Sequence, residues 1–228
     1  MNTLKKENYK FFPLFATPVM QVQLDFDLEK LTEFAFQMQN KDKKGVQYTN
    51  RGGWHSDYIQ EEKYEEFIRL KKEILQYLQI YHSEIFRGMV FKKNVVQSFG
   101  NMWVNINEKH HYNEWHIHAY ATLSGTYYIK HDGSKENGDI VFKHTKGHIN
   151  GTYMTICHWP EGLVEEFNEV TAEEVEFTPK SNTLFIFPSW LEHKVEINLK
   201  DDTRISSSFN SRPILEKTKK MWQGNIWR

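Results

Sequence analysis

Three histidines in the second half of the chain have the types and spacing of metal ligands. His116 and His118 stand one residue apart in the segment WHIHAYATLSGTYYI, residues 115–129. Alternate side chains of a β-strand share a face, so these two imidazoles would project on the same side, roughly 6–7 Å apart. His193 follows the turn FPSWLE and opens a later predicted strand. Because imidazole binds iron, copper, nickel and zinc, the three predict a metal site, although two histidines on one face also suit a polar surface stripe.

A second group of polar residues follows on the strand RISSSFN. Alternation places Arg204, Ser206, Ser208 and Asn210 on one face of that strand. A guanidinium pairs with a carboxylate through two parallel hydrogen bonds, and serine adds a donor, so this face could bind a carboxylate. The alternative is a salt bridge of Arg204 at the rim and serines on a solvated face.

The elements that must position these residues are mostly short strands. From residue 95 onward the chain is rich in β-branched and aromatic residues, with turn signals such as HDGSKENG between the segments. The predicted strands are VVQSFGNMWVNIN, LSGTYYIK, GDIVF, GTYMTI, EEVEFT, NTLFIF, HKVEI and TRISSSFN. This pattern predicts a mainly β protein with flanking helices (α+β), built as an antiparallel double sheet, or jelly roll.

Two amphipathic helices precede the strands. Apolar residues at spacings of three and four mark the first helix, and a longer second helix is predicted from about Tyr58 to Ile85. Asp57 and Gln60 have the spacing of a capping box at its start. A strand over 17–24 precedes both helices, and a polar loop over 40–57 joins them. The helices are expected to pack on one outer face of the double sheet.

The order of the motifs adds a family to this interpretation. An H-x-H pair is followed by SGTYYI, then GDIVF, then LFIFPSWLEH and finally RIS. This order resembles the Fe(II)- and 2-oxoglutarate-dependent dioxygenases, whose motif reads H-x-D/E…H…R-x-S on a double-stranded β-helix. Within them, the W-x-N strand, H-x-H pair, SG-x-YY, FPS-x-x-x-H and RIS-x-x-FN resemble a branch with H-x-H. The resemblance is strong over about residues 95–213 and looser through FPLFATPV and NRGGWHSD.

The length of 228 residues predicts a single domain over residues 1–228, with a helical N-terminal part at about 25–90 and a jelly-roll core at about 95–213. The resemblance implies an oxidoreductase that hydroxylates a substrate while 2-oxoglutarate is decarboxylated to succinate. It implies that His116 and His193 bind Fe(II), and His118 stands at the position of the second ligand; no catalytic residue is predicted beyond the metal ligands. The co-substrate would be held by Arg204, Ser206 and Tyr128.

Pocket residues follow less directly from the motifs. Trp103 and Asn105 share a face of the strand that leads into the site, and Asn113 lies near the ligand strand. His55 could approach a substrate from its loop, whereas Ser56 and Asp57 fit a cap-and-turn role. Whether Tyr127 or Tyr128 points inward depends on the strand register, which the sequence leaves open.

His118 departs from the wider superfamily, which has Asp or Glu at this position. Three neutral imidazoles would leave Fe(II) with its full +2 charge before an anionic co-substrate binds. A shifted register is the alternative, in which Glu114 supplies a carboxylate from the same strand face. Glu192 is a further option, although neighbours on a strand diverge. The set His116, His118 and His193 is the favoured prediction.

Other functions remain as alternatives. A three-histidine cupin-type dioxygenase would use the same ligands without 2-oxoglutarate and would not need Arg204 and Ser206. A non-catalytic β-sandwich would hold a structural metal or nothing. The segment RPILEKTKKMWQGNIWR, residues 212–228, carries five basic residues against Glu216 and interleaved tryptophans. It could stack nucleic-acid bases, but a segment docked on the body is preferred, so nucleic acid is not expected as a partner.

The composition of the chain limits its possible partners and location. The 228 residues carry 29 basic and 30 acidic side chains, a formal charge of -1, which favours no polyanionic partner. Aromatic residues make up 15% and the mean hydropathy is -0.69, which predicts large buried rings under a charged exterior. No apolar run reaches the roughly 18 residues of a membrane span, and no signal peptide is predicted. With one cysteine, Cys157, a reducing, cytoplasmic location is expected.

Overall fold

The computed structural model describes residues 16–59, 64–86, 95–144 and 172–215, without the side chains of residues 96, 97 and 215. The strands of this part of the chain are β1 (Met20–Gln23), β2 (Asn50–Arg51), β3 (Trp54–His55), β4 (Val95–Asn107), β5 (Tyr112–His116), β6 (Leu123–Lys130), β7 (Ile140–Lys143), β8 (Glu174–Phe177), β9 (Thr183–Pro188), β10 (His193–Val195) and β11 (Arg204–Leu215).

The strands form two antiparallel sheets. The first has six strands in the order β1-β9-β6-β11-β4-β3, and the second has five in the order β2-β5-β10-β7-β8. Neighbours in each sheet are mostly distant in sequence, as expected when a chain passes back and forth between two sheets of a jelly roll. The mainly β, double-stranded β-helix fold predicted from the sequence is confirmed.

Two helices cover the outer face of the six-stranded sheet. Helix α1 spans Leu28–Lys41. Its N-cap is Asp27, whose carboxylate accepts a hydrogen bond from the Glu29 amide at 3.1 Å. Helix α2 spans Glu65–Ile85. Their apolar faces join one core cluster with the outward side chains of the sheet. The predicted packing of both helices on one sheet is therefore confirmed.

The start of the second helix was predicted wrongly. Tyr58 and Ile59 lie outside any helix or strand, and α2 begins seven residues after Tyr58, at Glu65. The amides of Ser56 and Ile59 donate to carbonyls of β4 at 2.9 and 2.8 Å, which commits this backbone to the sheet edge. Asp57 accepts from the Tyr58 amide instead of capping the helix, and Gln60 lies outside the described residues.

Alternation along the central strands divides the interior into two cores. On β6, Tyr127 packs in the helix-covered core, whereas Tyr128 packs in a second apolar cluster. The second cluster consists of Tyr128, Ile140, Phe142, Phe185, Phe187 and Leu191. Burying a large ring of this kind stabilises a fold by about 1.5–3 kcal/mol. Tyr128 is thus the tyrosine whose ring points between the two sheets, and Tyr127 points toward the helices, which answers the question that the sequence left open.

The remaining elements match the predictions unevenly. Strands β4 and β6 have the predicted bounds, while the predicted loop over 40–57 contains β2 and β3. The predicted strand GTYMTI lies outside the described residues, as does the basic segment beyond residue 215. None of the helices in the described ranges combines the length and apolarity needed to span a membrane.

Candidate active site

The three predicted histidines converge on one point between the sheets. His116 ends β5 and His193 begins β10, and the two are register partners across the antiparallel pair. His118 lies in the turn after β5, where its amide donates to the Ser189 carbonyl at 2.9 Å. One ring nitrogen from each histidine lies within 4.8 Å of the other two. We call this group the histidine triad.

Each imidazole of the triad has its Nδ1 engaged. Nδ1 of His116 bonds the Glu114 carbonyl at 2.7 Å, and Nδ1 of His193 bonds the Leu191 carbonyl at 2.8 Å. Nδ1 of His118 bonds the Oδ1 atom of Asn210 at 2.7 Å. Because a carbonyl oxygen only accepts, each Nδ1 carries the proton and each Nε2 keeps its lone pair. Such partners fix the tautomer and ring orientation of metal-binding histidines.

Burial keeps these imidazoles neutral. It lowers the pKa of His116 and lowers that of His193 well below its usual value. The pKa of His118 falls to about 4 through burial, with repulsion from His116 as a smaller cause. Neutral imidazole is the form that binds a metal ion, so the triad is in the binding form at neutral pH.

A β-bulge places Glu114, the alternative carboxylate ligand, on the outer side of β5. His193 pairs with His116 but Val195 pairs with Asn113, so β5 has one residue more than β10 between these two pairs. The extra residue reverses the alternation, and Asn113 and His116 both face the cavity. Glu114 is exposed and forms a bidentate ion pair with Arg51. Glu192, the other acidic alternative, lies 3.4 Å from Lys143 at the surface.

The triad opens into a cavity of about 450 Å³ between the sheets. The predicted face of β11 lines it through Arg204, Ser206, Ser208 and Asn210. The opposite side chains, Ile205 and Phe209, belong to the helix-covered core. The metal-binding and carboxylate-binding groups predicted from separate motifs therefore share one chamber.

Arg204 lies at one end of this chamber and is 1% exposed. Its Nη1 donates to the carbonyls of Asn137 at 2.7 Å and Glu196 at 3.0 Å, while Nη2 has no partner. Burial lowers the pKa of Arg204 to about 10, which leaves the guanidinium charged at neutral pH. Burying a cation without a counter-ion lowers the stability of the fold, because the charge loses its hydration; a bound anion would restore a partner for the free donor.

Two more unpaired donors lie with Arg204. Asn107 is its register partner on β4 and has an unpaired Nδ2. Tyr128 is paired in register with Ser206, and its buried hydroxyl has no partner. Burial raises the pKa of Tyr128, so the hydroxyl stays protonated. We call Asn107, Tyr128 and Arg204 the donor end. Tyr128 is the member whose ring lies in the adjoining apolar cluster, outside the cavity wall.

The other predicted pocket residues also line the cavity. Trp103, Asn105, Asn113 and His55 are all part of the wall. The ring of Trp103 lies 5.6 Å from that of His118 and is stacked on His55 at 5.5 Å. Ser56 accepts from the Val104 amide at 2.9 Å, which fits its predicted turn role.

Sequence reasoning missed two residues of the cavity wall and the hydrogen bond of a third residue. Asn101 and Asn107 line the cavity from β4, on the same face as Trp103 and Asn105. Alternation along β4 could have found both. Asn210 was placed on the correct face, but its hydrogen bond to His118 requires the turn after β5, which no local pattern reveals.

A family comparison adds an independent finding. Residues 101–210 match a family model described as "Putative 2OG-Fe(II) oxygenase". No curated protein sequence matches the chain significantly. The matched range contains the triad, Arg204 and Asn210, and the resemblance predicted from the sequence is confirmed.

Solved structures share the fold at low identity. A Pseudomonas putida prolyl-4-hydroxylase is 13% identical with a TM-score of 0.54, over 86% of this chain and 93% of that one. A viral collagen prolyl hydroxylase from Paramecium bursaria Chlorella virus-1, in complex with 2OG, is 11% identical with a TM-score of 0.53, over 86% and 96%. HygX from Streptomyces hygroscopicus, with nickel and 2-oxoglutarate bound, is 10% identical with a TM-score of 0.53, over 86% and 82%. At these identities the likeness establishes the fold.

Proposed function

Because residues 101–210 match a family model of 2OG-Fe(II) oxygenases, we propose that this protein is an Fe(II)- and 2-oxoglutarate-dependent dioxygenase that hydroxylates its substrate. The observation that carries the proposal is the shared chamber. Three imidazoles with free Nε2 atoms face the same cavity as a buried guanidinium with a free donor.

The histidine triad fits a divalent metal ion. His116, His118 and His193 would each give one neutral Nε2 ligand, and their Nδ1 partners hold the rings for that task. Three protein ligands leave further positions for a co-substrate. Bound iron and 2-oxoglutarate would supply the oxidation of a C–H bond with decarboxylation of the co-substrate to succinate.

The donor end fits the distal carboxylate of 2-oxoglutarate. Nη2 of Arg204 would provide the charge, and the Tyr128 hydroxyl and Asn107 amide would add hydrogen bonds. Ser206, paired in register with both Asn105 and Tyr128, would line the path toward the triad. Binding a dianion here would relieve three unpaired buried donors at once, which supports this assignment.

Aromatic side chains of the cavity wall would exclude water from the triad. Trp103 and Phe187 flank the triad, with the ring of Phe187 4.6 Å from that of His193. Apolar walls around a metal site lower the local dielectric and strengthen the electrostatic interactions inside it. The chain's residues would thus orient both ligands in a dry chamber.

A cupin-type dioxygenase without 2-oxoglutarate would use the triad equally well. It would leave the donor end without a function and with three unpaired donors. We therefore favour the co-substrate-dependent reaction, and the experiment below distinguishes the two.

The test is an anaerobic titration of metal-free protein with Fe(II) and then 2-oxoglutarate, followed by the weak visible charge-transfer band of the chelate. We expect a band that His193→Ala abolishes and Arg204→Ala weakens. His110→Asn serves as the control, because His110 is exposed at a left-handed turn position that asparagine tolerates. Iron binding without any response to 2-oxoglutarate would favour the cupin-type reaction, and no iron binding would refute both.

A further inference from the structure

A ladder of rings leads from the triad to the surface. Trp103 lies beside His118, His55 stacks on Trp103 at 13°, and Tyr48 meets His55 edge-on at 5.4 Å. Tyr48 is 61% exposed, whereas His55 is buried and Trp103 is only partly covered. We call Tyr48, His55 and Trp103 the ring wall. It offers apolar ring surface from the cavity mouth to the metal ligands, on the β3 and β4 side of the chamber.

Unpaired acceptors lie along the same strand. Oδ1 of Asn101 and Oδ1 of Asn105 are buried without hydrogen-bond partners, and both residues line the cavity on either side of Trp103. Their relative exposures are 8% and 7%. The Nδ2 of Asn105 is already used, since it donates to Ser208 at 3.3 Å. Tyr58 of the cavity wall hydrogen-bonds the Asn101 side chain, but neither Oδ1 atom has a partner, so both can accept from O–H or N–H groups of a ligand.

This pattern differs from that of the donor end. Where Arg204 lies, the free groups are donors and suit an anion. Along Asn101 and Asn105, the free groups are acceptors and suit O–H or N–H groups. Along β4 the free groups therefore change from a donor at Asn107 to acceptors at Asn105 and Asn101, which suit ligands of opposite hydrogen-bonding character.

The charges of the cavity lining limit the kind of ligand that the ring wall can bind. Among the described residues that line the cavity, Arg204 is the only permanently charged side chain. The pKa of His55 is lowered by burial, so this ring of the wall is neutral as well. An ionic group on the ring wall would lose its hydration without gaining a counter-ion from these residues.

We infer that the ring wall with Asn101 and Asn105 is the substrate subsite, and that the substrate is an uncharged ring compound bearing at least two hydroxyl or N–H donors. The ring stacks on the open part of Trp103, and the donors bond the two free amide oxygens. The inference rests on the proposed function for its chemistry, because the subsite adjoins the triad through Trp103 and His118.

A matched set of small ring compounds tests this subsite. Resorcinol is a neutral ring with two hydroxyl donors, and 1,3-dimethoxybenzene lacks the donors. The compound 3,5-dihydroxybenzoate adds a negative charge, and 3,5-dihydroxybenzylamine adds a positive one. Binding is measured by ligand-observed NMR titration on the full chain loaded with Zn(II) and 2-oxoglutarate, so that no turnover occurs.

We expect resorcinol to bind at least about tenfold more tightly than the other three compounds, since one lost hydrogen bond at a buried group costs on the order of 1.4 kcal/mol. Asn101→Leu and Asn105→Leu should each weaken resorcinol about tenfold. Asn105→Asp should instead favour 3,5-dihydroxybenzylamine, a gain that misfolding cannot produce. Asn40→Leu, at an exposed position of α1, is the control and should change nothing.

The inference is overturned if a charged compound or dimethoxybenzene binds as tightly as resorcinol. It is also overturned if the Asn101 and Asn105 variants behave like Asn40→Leu. Its failure is separable from that of the proposed function, which the iron titration decides. Resorcinol binding in a protein that binds no iron would support the subsite while the oxygenase proposal falls.

Discussion

Asn210 gives the sharpest prediction, because among the described residues it is the side chain whose hydrogen bond holds a member of the triad. His116 and His193 are held by backbone carbonyls, which substitution cannot remove. The Oδ1 atom of Asn210 accepts from His118 Nδ1 at 2.7 Å and from the Ser124 hydroxyl at 2.8 Å. Asn210→Leu keeps the volume and removes this acceptor.

The structure sets the size of both effects. Two donors lose their partner, and each unsatisfied group costs about 1–3 kcal/mol, so the free energy of unfolding should fall by about 2–6 kcal/mol. His118 also loses the bond that fixes its tautomer. Loss of such an outer partner weakens metal binding about 10–100-fold. Asn210→Asp keeps an acceptor at the same place and should retain metal affinity.

The assay is competition for Zn(II) against a chromophoric chelator, with denaturant unfolding of the metal-free protein alongside. The expected order of metal affinity is wild type and Asn210→Asp together, with Asn210→Leu below them. The reasoning fails if Asn210→Leu binds zinc like the wild type. It fails equally if the aspartate variant is as weak as the leucine variant.

Three further predictions concern other parts of the site. A Cβ atom at Gly138, where φ is +97°, would overlap Nη1 of Arg204, so Gly138→Ala should weaken 2-oxoglutarate binding at least about tenfold while zinc affinity in the chelator assay is unchanged; equal loss of both would refute the reasoning. Glu114→Gln should leave metal affinity unchanged and cost at most about 1 kcal/mol of stability, because Glu114 forms an exposed ion pair with Arg51; a large loss of metal would restore Glu114 as a ligand. His131 accepts from the Gly133 amide through Nδ1, and burial lowers its pKa to about 4, so its contribution to stability is present above pH 6.5 and is lost as pH falls toward 4. Between pH 6.5 and pH 4, the free energy of unfolding of the metal-free wild type should therefore fall by up to about 3 kcal/mol more than that of His131→Gln. Parallel curves of this free energy against pH would contradict the prediction.

Alternation along strands made much of this site predictable. The shared face of Arg204, Ser206, Ser208 and Asn210 follows from period two, and the same rule holds for Trp103 and Asn105 on β4. The bounds of β4 and β6 were predictable because long β-branched and aromatic runs end at clear turn signals. The motif order supplied the link between the triad and Arg204, which lie on different strands.

The points that the sequence left open or predicted wrongly share a physical cause, which is that tertiary contacts override local patterns. The bulge in β5 turns Glu114 outward, and only the pairing with β10 creates that bulge. Tyr58 and Ile59 are not helical because the amides of Ser56 and Ile59 donate to β4, although the residues fit a helical pattern. The free acceptors of Asn101 and Asn105 are likewise a property of the assembled sheets.

The proposed function requires the histidine triad and the donor end to act together on one metal-bound co-substrate. Anomalous diffraction from crystals grown anaerobically with Mn(II) and 2-oxoglutarate would locate both ligands. We expect one metal ion at about 2.0–2.3 Å from Nε2 of His116, His118 and His193, with the distal carboxylate on Nη2 of Arg204. A metal ion bound by Glu114, or 2-oxoglutarate bound away from Arg204, would contradict it.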